Sequence, residues 1–250
     1  MDEMYERTRS LLGDAAVERI RASSVCIIGL GGVGSYAAEA CARSGFGTIG
    51  LIDHDSYSAS NLNRQLGALR STLGRRKTQV TSERIRDINP QAAVLEKDIF
   101  LTADNVPLLG LEKFDFVIDA IDNVTAKTAI ACFCHDRGIA SVCVMGTGNK
   151  LRPEMLEVSD IYSTSVCPLA RAVRKLCRDA GLPSLKVIYS REEPLVRTRT
   201  PASMSFVPAA AGLLAAREAV LAVTGGLTAA RSENGPGSIQ SHEHKGTRDA

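Results

Sequence analysis

The chain has 250 residues, of which 44% are hydrophobic, 23% charged and 4% aromatic, and its formal net charge is +2. That length and apolar content accommodate one α/β core with some elaboration, since single hydrophobic cores stop growing near ~250 to 300 residues, and they exclude a disordered or fibrous chain. Taken over the whole chain, a charge this close to neutral also argues against coating nucleic acid or membrane through bulk electrostatics.

The opening MDEMYERTRS is charged from its second residue and has no apolar stretch, so neither export nor mitochondrial import is indicated and a cytoplasmic protein is expected. An apolar run at 25–28 leads at once into GLGGVGS and an alanine-rich stretch at 36–42, which reads as strand, glycine turn and helix. TIGLID at 48–53 is a second strand. The polar segment DHDSYSASNLNRQ follows, then a charged helix over about 75–88 that stops at Asn89-Pro90. Strands at 92–96, 114–120 and 140–145, with a helix at about 124–137, complete an alternating pattern. The expected fold class is therefore α/β: a Rossmann-like, doubly wound, mostly parallel sheet covered on both faces.

Past Gly146 the segment NKLRPEMLEVSDIYSTS suggests a β excursion. A basic helix (168–180), a strand (185–189), a Pro/Arg-rich loop (191–201) and an apolar helix (207–223) come next. Arg217 and Glu218 interrupt the apolar run before it reaches the ~18 clean residues of a membrane span, so it reads as a buried helix. The tail from about 224 has too little apolar content to order itself. The expected organisation is one domain over 1–223, with a nucleotide-binding core at about 20–147, an elaboration at about 148–205 and a closing helix at 207–223. Seven cysteines at 26, 41, 132, 134, 143, 167 and 177 are an odd number, most among apolar residues, and read as free thiols in a reducing compartment.

Gly29, Gly31 and Gly34 form G-x-G-x-x-G, with Gly32 as an extra, between a strand and a helix. The first glycine permits the turn, the middle pair lets backbone N–H groups approach phosphate oxygens, and the helix N-terminus adds partial positive charge. Asp53 ends the second strand, where a carboxylate can accept hydrogen bonds from ribose hydroxyls. The loop alone leaves NAD and ATP both open. Ser60, Asn61, Asn63, Arg64 and Gln65, with Lys77 beyond, add two cations and several amides, which suits charge building on phosphates as pyrophosphate leaves. Taken singly, Arg64 and Lys77 read better as solvated side chains, and the next motif shifts the balance. Asp119-Ala-Ile-Asp122-Asn123 ends an apolar strand at the sheet's C-terminal edge, where open α/β sheets place ligands. Asp122 is a candidate Mg²⁺ ligand, Asn123 a candidate cap of the next helix, and Lys127 lies one to two turns on. Capping by Asp122 and Asn123 without further function is the competing reading.

Together GLGGVGS, the acid after the second strand, SNLNRQ, Lys77 and DAIDN resemble the ThiF/MoeB/E1 superfamily, which activates carboxylates as acyl-adenylates. The resemblance runs over roughly residues 5–220. It implies ATP and Mg²⁺ as cofactors, with phosphate at Gly32 and its neighbours, ribose at Asp53, phosphates at Asn61, Arg64 and Lys77, and Asp122 as the metal-linked catalytic carboxylate. Arg7 matches an arginine that family members donate to a partner subunit's site, which implies a homodimer. Members that adenylate ubiquitin-like sulfur carriers usually carry two CxxC pairs for structural zinc. None occurs here, Cys132 and Cys134 being separated by one residue. Instead DAIDN, MGTGNKLRP, DIYSTSVCPLAR and SFVPAAAG resemble the tRNA threonylcarbamoyladenosine dehydratases, the TcdA/CsdL branch. That branch uses ATP to activate the threonyl carboxylate of the modified adenosine at position 37 of tRNA and close it into a ring. It also implies a cysteine desulfurase or SufE-like partner. The alternative within the superfamily is an adenylyltransferase for a sulfur carrier; a nucleotide-binding module without catalysis and an NAD(P) oxidoreductase are further readings.

Residues 150–200 hold ten Lys/Arg against six Asp/Glu, a local net of +4. Arg171, Arg174, Lys175 and Arg178 recur at helical spacing, which puts them on one face of the basic helix; without the resemblance this reads as an ordinary solvated face, and with it as a candidate contact to the tRNA backbone. Arg191, Arg197 and Arg199 are expected to share that surface. With no Trp and few other aromatics, no stacking platform is evident. Cys167, at that helix's start, is a candidate for a lowered thiol pKa, although an unreactive helix-start residue is the simpler reading. The four histidines form no ligand cluster.

Overall fold

The N-terminal residues form two short helices, α1 (Glu6–Leu12) and α2 (Asp14–Ala22), broken at Gly13, whose φ of 82° suits a residue without a side chain. The sequence reading left this region unassigned, although Ala16, Val17 and Ile20 recur on one face and are buried. The structure, a computed structural model, describes residues 3–196, 198 and 200–226. Arg197, Arg199 and the expected disordered tail from 227 onward, with His242 and His244, lie outside the described residues.

Seven strands follow: β1 (Ser24–Ile28), β2 (Thr48–Ile52), β3 (Ala93–Lys97), β4 (Phe116–Asp119), β5 (Ala140–Val144), β6 (Leu156–Asp160) and β7 (Lys186–Ser190). They form one sheet in the order β3-β2-β1-β4-β5-β7-β6, all parallel except β6, which runs antiparallel to β7 at one edge. The β excursion past Gly146 is thus this edge strand. From β1 the chain winds outward through β2 and β3, then returns to lay β4 on the other side of β1. That reversal opens a crevice at the C-terminal ends of β1 and β4.

Alternate residues of the central strands feed opposite faces, as the period of two requires. Val25 and Ile27 join Ile49, Leu51, Phe116 and Ile118 beneath α3 (Gly34–Ser44) and α7 (Phe206–Thr224). Cys26 and Ile28 join Val117 under α5 (Val124–Asp136) and the 3₁₀ turns at 103–113. A third cluster lies between β5, β7 and α6 (Pro168–Asp179). α7 is long and apolar enough to cross a membrane by composition, yet it lies along α3 and the sheet with Val207, Ala211, Ala215 and Ala219 fully covered. Gly212 makes that approach possible, since a Cβ there would stand 2.3 Å from the Val33 carbonyl oxygen. Glu218, buried within α7, accepts from Lys186 Nζ at 3.0 Å.

α4 (Lys77–Ile88) begins two residues later than expected, because Arg76 is held extended by a bridge to Ser56. The remaining boundaries agree with the sequence reading to within a residue or two, which is the ordinary fraying of element ends.

Candidate active site

The crevice at the switch point widens into a cavity of about 820 Å³. One half is walled by the glycine loop, Asp53–Asp55, Asn61, Arg64, Lys77 and residues 120–123. The other is walled by residues 144–148, Leu169, Thr200, Pro201 and Ser203, while Pro208 lies over Gly32 in the first.

The glycine loop is shaped by three different needs. Gly29 has φ of 87° and passes 3.0 Å from the Ala120 carbonyl, measured from where a Cβ would be. Gly31 faces open space, its nearest neighbour being the Gln65 amide at 3.9 Å, so backbone is bared to the cavity there, and Gly32 beside it lies under Arg64 and Pro208. Gly34, expected to bind the nucleotide, does not line the cavity. A Cβ on it would fall 1.7 Å from the Gly29 carbonyl oxygen, so its role is to let α3 sit against the turn.

Asp53 secures the loop as well as facing the cavity. Its Oδ2 accepts from the Leu30 amide at 2.6 Å and its Oδ1 from the Asp55 amide at 2.8 Å. Lys77, first residue of α4 and only 4% exposed, puts an ammonium at a helix N-terminus, where the dipole disfavours it. Asp55 offsets this: its Oδ2 accepts from Lys77 Nζ at 2.8 Å, with Asp53 at 3.9 Å. Partial burial pushes the Asp55 carboxyl up, but the Lys77 ammonium outweighs it and holds the pKa below its usual value. Asp53, His54 and Asp55 bring their ligand atoms within 4.8 Å of one another. The Lys77 ammonium occupies Asp55 Oδ2, and backbone amides occupy both oxygens of Asp53, which makes the cluster a poor cation site.

Arg64 Nη1 donates to the Ser60 carbonyl at 2.9 Å and to Asn63 Oδ1 at 3.0 Å. That uses both Nη1 hydrogens and leaves the Nε and Nη2 donors without a partner among the described residues. Asn61 Oδ1 accepts from the Ser58 amide, closing the turn at 59–61, while the residue lines the cavity. Gln65 is buried in the wall with its Oε1 unsatisfied. Bare glycine backbone, unpaired guanidinium donors and a buried ammonium form an anion-binding wall that fits a nucleotide's phosphates.

On the opposite wall the two readings of DAIDN separate. Asn123 Oδ1 accepts from the Ala126 amide at 3.0 Å and from Thr125 Oγ1 at 2.8 Å, so Asn123 caps α5 at the cavity's edge. Asp122 is exposed and makes no hydrogen bond to the described residues, which leaves its carboxylate open to a cation. Lys127 does not reach the cavity. Its ammonium is fully buried beneath it, 3.0 Å from Asp119 Oδ1, and Cys143 Sγ donates to Asp119 Oδ2 at 2.9 Å. Asp119 Oδ1 also accepts from the Ile121 amide at 3.2 Å, so this buried carboxylate holds the loop that carries Asp122. Burial pushes the Lys127 pKa down, but the Asp119 charge prevails and the net direction is up. This network had no local signature, since its members come from two strands and a helix.

The basic stripe of α6 divides. Arg174 turns inward, its Nη1 donating to the Thr164 carbonyl at 2.8 Å and Oγ1 at 2.6 Å, because Val173 and Cys177 beside it dock the helix and draw that flank inward. Arg178 lies over the Tyr162 ring at 5.7 Å, and Arg171 and Lys175 are exposed with no partner among the described residues. Arg191 pairs with Glu157 at 3.0 Å. Cys167 is buried at 4% exposure, caps α6 with its backbone only, and does not line the cavity. Burial pushes the Cys41 and Cys134 thiols up to about 12 and Cys177 to about 11, which leaves them protonated and unreactive near neutrality. Arg7 is exposed on α1 and does not line the cavity.

A doubly wound sheet with a glycine loop, a strand-end acid and an anion-binding wall at its switch point defines a nucleotide-binding α/β protein of E1-like build. The chain belongs to the ThiF family, whose sequence profile matches residues 5–242. It is 36% identical to the tRNA threonylcarbamoyladenosine dehydratase of Bacillus subtilis, across 86% of this chain and 92% of that one. It is 42% identical to the Escherichia coli protein of the same name, across 72% of this chain and 68% of that one. The crystal structure of the E. coli dehydratase TcdA in complex with ATP superposes with a TM-score of 0.85 at 35% identity, covering 89% of this chain and 94% of that one. The adenylyltransferase and sulfurtransferase MOCS3 of Aedes aegypti is 34% identical over 46% of this chain and 26% of its own.

The buried pair generates a stability prediction. Asp119→Asn and Lys127→Met should each cost about 3–5 kcal/mol in urea unfolding, since each strands a partner in the interior, and the double variant should cost less than their sum. Because the Lys127 pKa is raised above its unfolded value of 10.5, the pair's contribution is fully present below pH 10.5 and is lost as pH climbs through the folded value. A parent protein whose stability declines above pH 10.5 no faster than that of the double variant contradicts this account.

Proposed function

We propose that this chain is an ATP-dependent tRNA threonylcarbamoyladenosine dehydratase, which closes the threonylcarbamoyl side chain of adenosine 37 into a ring. The observation that carries this reading is the two-part cavity: an anion-binding half suited to ATP opens directly onto a second half, in a chain similar to the Bacillus relative across 86% of its length. Residues 31 and 32, Asn61, Arg64 and Lys77 hold the phosphates, Asp53 holds the ribose, and Asn123 keeps α5 in place beside them. A carboxylate oxygen of the substrate forms a bond to the α-phosphorus, and the bond to the bridging oxygen breaks as pyrophosphate leaves. A nucleophilic atom of the same substrate's carbamoyl group then attacks the activated carbonyl carbon, and AMP departs with the carboxylate oxygen. That oxygen and the proton lost on ring closure account for the dehydration, so no enzyme nucleophile is needed, which agrees with a buried Cys167. Arg64 and Lys77 stabilise charge developing on the phosphates. A Mg²⁺ at Asp122 would supply further neutralisation of the leaving pyrophosphate. The reading places the protein in the cytoplasm, with a cysteine desulfurase or SufE-like partner supported by resemblance alone.

Purified protein given ATP, Mg²⁺ and tRNA bearing the threonylcarbamoyl nucleoside is expected to yield the cyclic nucleoside, AMP and pyrophosphate, and Arg64→Ala or Asp122→Ala to lower kcat on the order of 10²–10³-fold. Pyrophosphate exchange that depends on a sulfur-carrier protein, with no cyclic nucleoside, points instead to the adenylyltransferase alternative.

The elaboration at 148–205 faces the RNA in this reading, with Arg171, Lys175 and Arg178 as backbone contacts. Removing Arg171 and Lys175 together should weaken tRNA binding and lower the slope of log K against log salt by about 1–2, whereas Arg174→Ala should lower thermal stability and leave the slope in place. An unchanged slope in the double variant removes α6 from the interface.

The site is completed by a second copy. Exposed Arg7 on α1 is the donated group; Leu11, one turn further on, and Leu213, which lines the same surface hollow as Leu11, are 78% and 52% exposed and give apolar surface to bury. Arg7→Ala and Asp122→Ala subunits, each inactive alone, should regain turnover when mixed and exchanged. No recovery would mean that Arg7 acts in its own subunit or not at all.

A further inference from the structure

The two halves of the cavity are joined by a side chain that lines neither. Asn63 lies outside the wall, between the Arg64 guanidinium and the segment at 200–203. Its Oδ1 accepts from Arg64 Nη1 at 3.0 Å, and its Nδ2 donates to the Ser203 carbonyl at 2.8 Å, across 140 residues of chain. The amide can face only this way, because a guanidinium has no acceptor and a carbonyl oxygen no donor.

Apart from Asn63, the segment's described anchor is Asn149. That residue sits at φ of 61°, its Oδ1 accepts from the Ala202 amide at 2.7 Å and its own amide donates to the Ala202 carbonyl at 2.6 Å. Asn149 makes no contact with Arg64. Of the two anchors, Asn63 alone therefore connects the phosphate-binding wall to the segment bordering the second half.

We propose that Asn63 is a positioning residue that couples the nucleotide to the second substrate, so that ATP and the modified tRNA bind with positive cooperativity. This rests on the function proposed above. The free Nε and Nη2 donors of Arg64 take phosphate, and the planar guanidinium then fixes Nη1 as well. Nη1 holds the Asn63 amide, and the amide holds the Ser203 carbonyl, so Pro201 and Ser203 are ordered before the threonylcarbamoyl group arrives. The first ligand bears the ordering entropy and the second binds more tightly, with equal effect in the reverse order.

The test measures the dissociation constant of modified tRNA with and without a non-hydrolysable ATP analogue, in the parent, Asn63→Ala and Asn149→Gly proteins. The analogue should tighten tRNA binding to the parent on the order of tenfold. Asn63→Ala should abolish the tightening, and with the ordering cost gone the analogue without tRNA should bind at least as tightly as it does to the parent. Asn149→Gly keeps the left-handed backbone and its bond to the Ala202 carbonyl but removes the Oδ1 acceptor of the other anchor, so tRNA binding should weaken in both conditions with the ratio preserved. Tightening that survives Asn63→Ala, tightening lost in Asn149→Gly, or no tightening in the parent overturns the proposal. The proposed reaction fails separately, when a parent protein with intact coupling forms no cyclic nucleoside.

Discussion

Everything at this site depends on how closely the glycine turn lies against its surroundings. The absent side chain of Gly34 lets the first turn of α3 meet the Gly29 carbonyl, and the positive φ of Gly29 carries the chain past Ala120 at the end of β4. These two contacts place the N-terminus of α3 and the loop 120–123 on one crevice. A larger residue at either place would separate the bare glycine backbone from Asp122. The topology sets where the crevice is, because β1 and β4 are neighbours while the chain between them winds away through β2 and β3.

The charges around the crevice fall into two groups. Lys127 and Arg174 are engaged internally, by Asp119 and by the loop at 161–164, and serve architecture. Lys77 stands between: buried, partnered by Asp55, yet part of the wall. Arg64, Asp122, Arg171 and Lys175 retain unused donor or acceptor capacity and are the groups available to ligands. A side chain whose hydrogen-bonding capacity is met by the protein has little left for a substrate, so this division separates function from scaffold better than charge or proximity in sequence.

Much of this was legible in the chain. The order of strand, glycine turn and helix, the acid at Asp53 and the cations at Arg64 and Lys77 all occur in the cavity wall, because each is placed by a local rule: a turn, a strand end, the first residue of a helix. The local net of +4 over 150–200 was also legible, but not its use. Lys150 is buried, and Arg152 and Arg191 pair with Glu154 and Glu157, which leaves Arg171, Lys175 and Arg178 as the exposed remainder on α6. Helical spacing puts Arg174 with its neighbours on one face, and only the loop packed beside it shows that its guanidinium points inward.

By itself the sequence determined the elements, their order and the polar character of the glycine-loop wall, since periodicity, glycine spacing and strand-end polar residues act within a few residues. The tertiary structure alone decided which groups share a partner. Asp119 meets Cys143 across adjacent strands, and Asn63 meets Ser203 across 140 residues of chain. A hydrogen bond is directional and short, so whether two distant polar groups meet depends on the packing of the whole core between them, which no local pattern encodes.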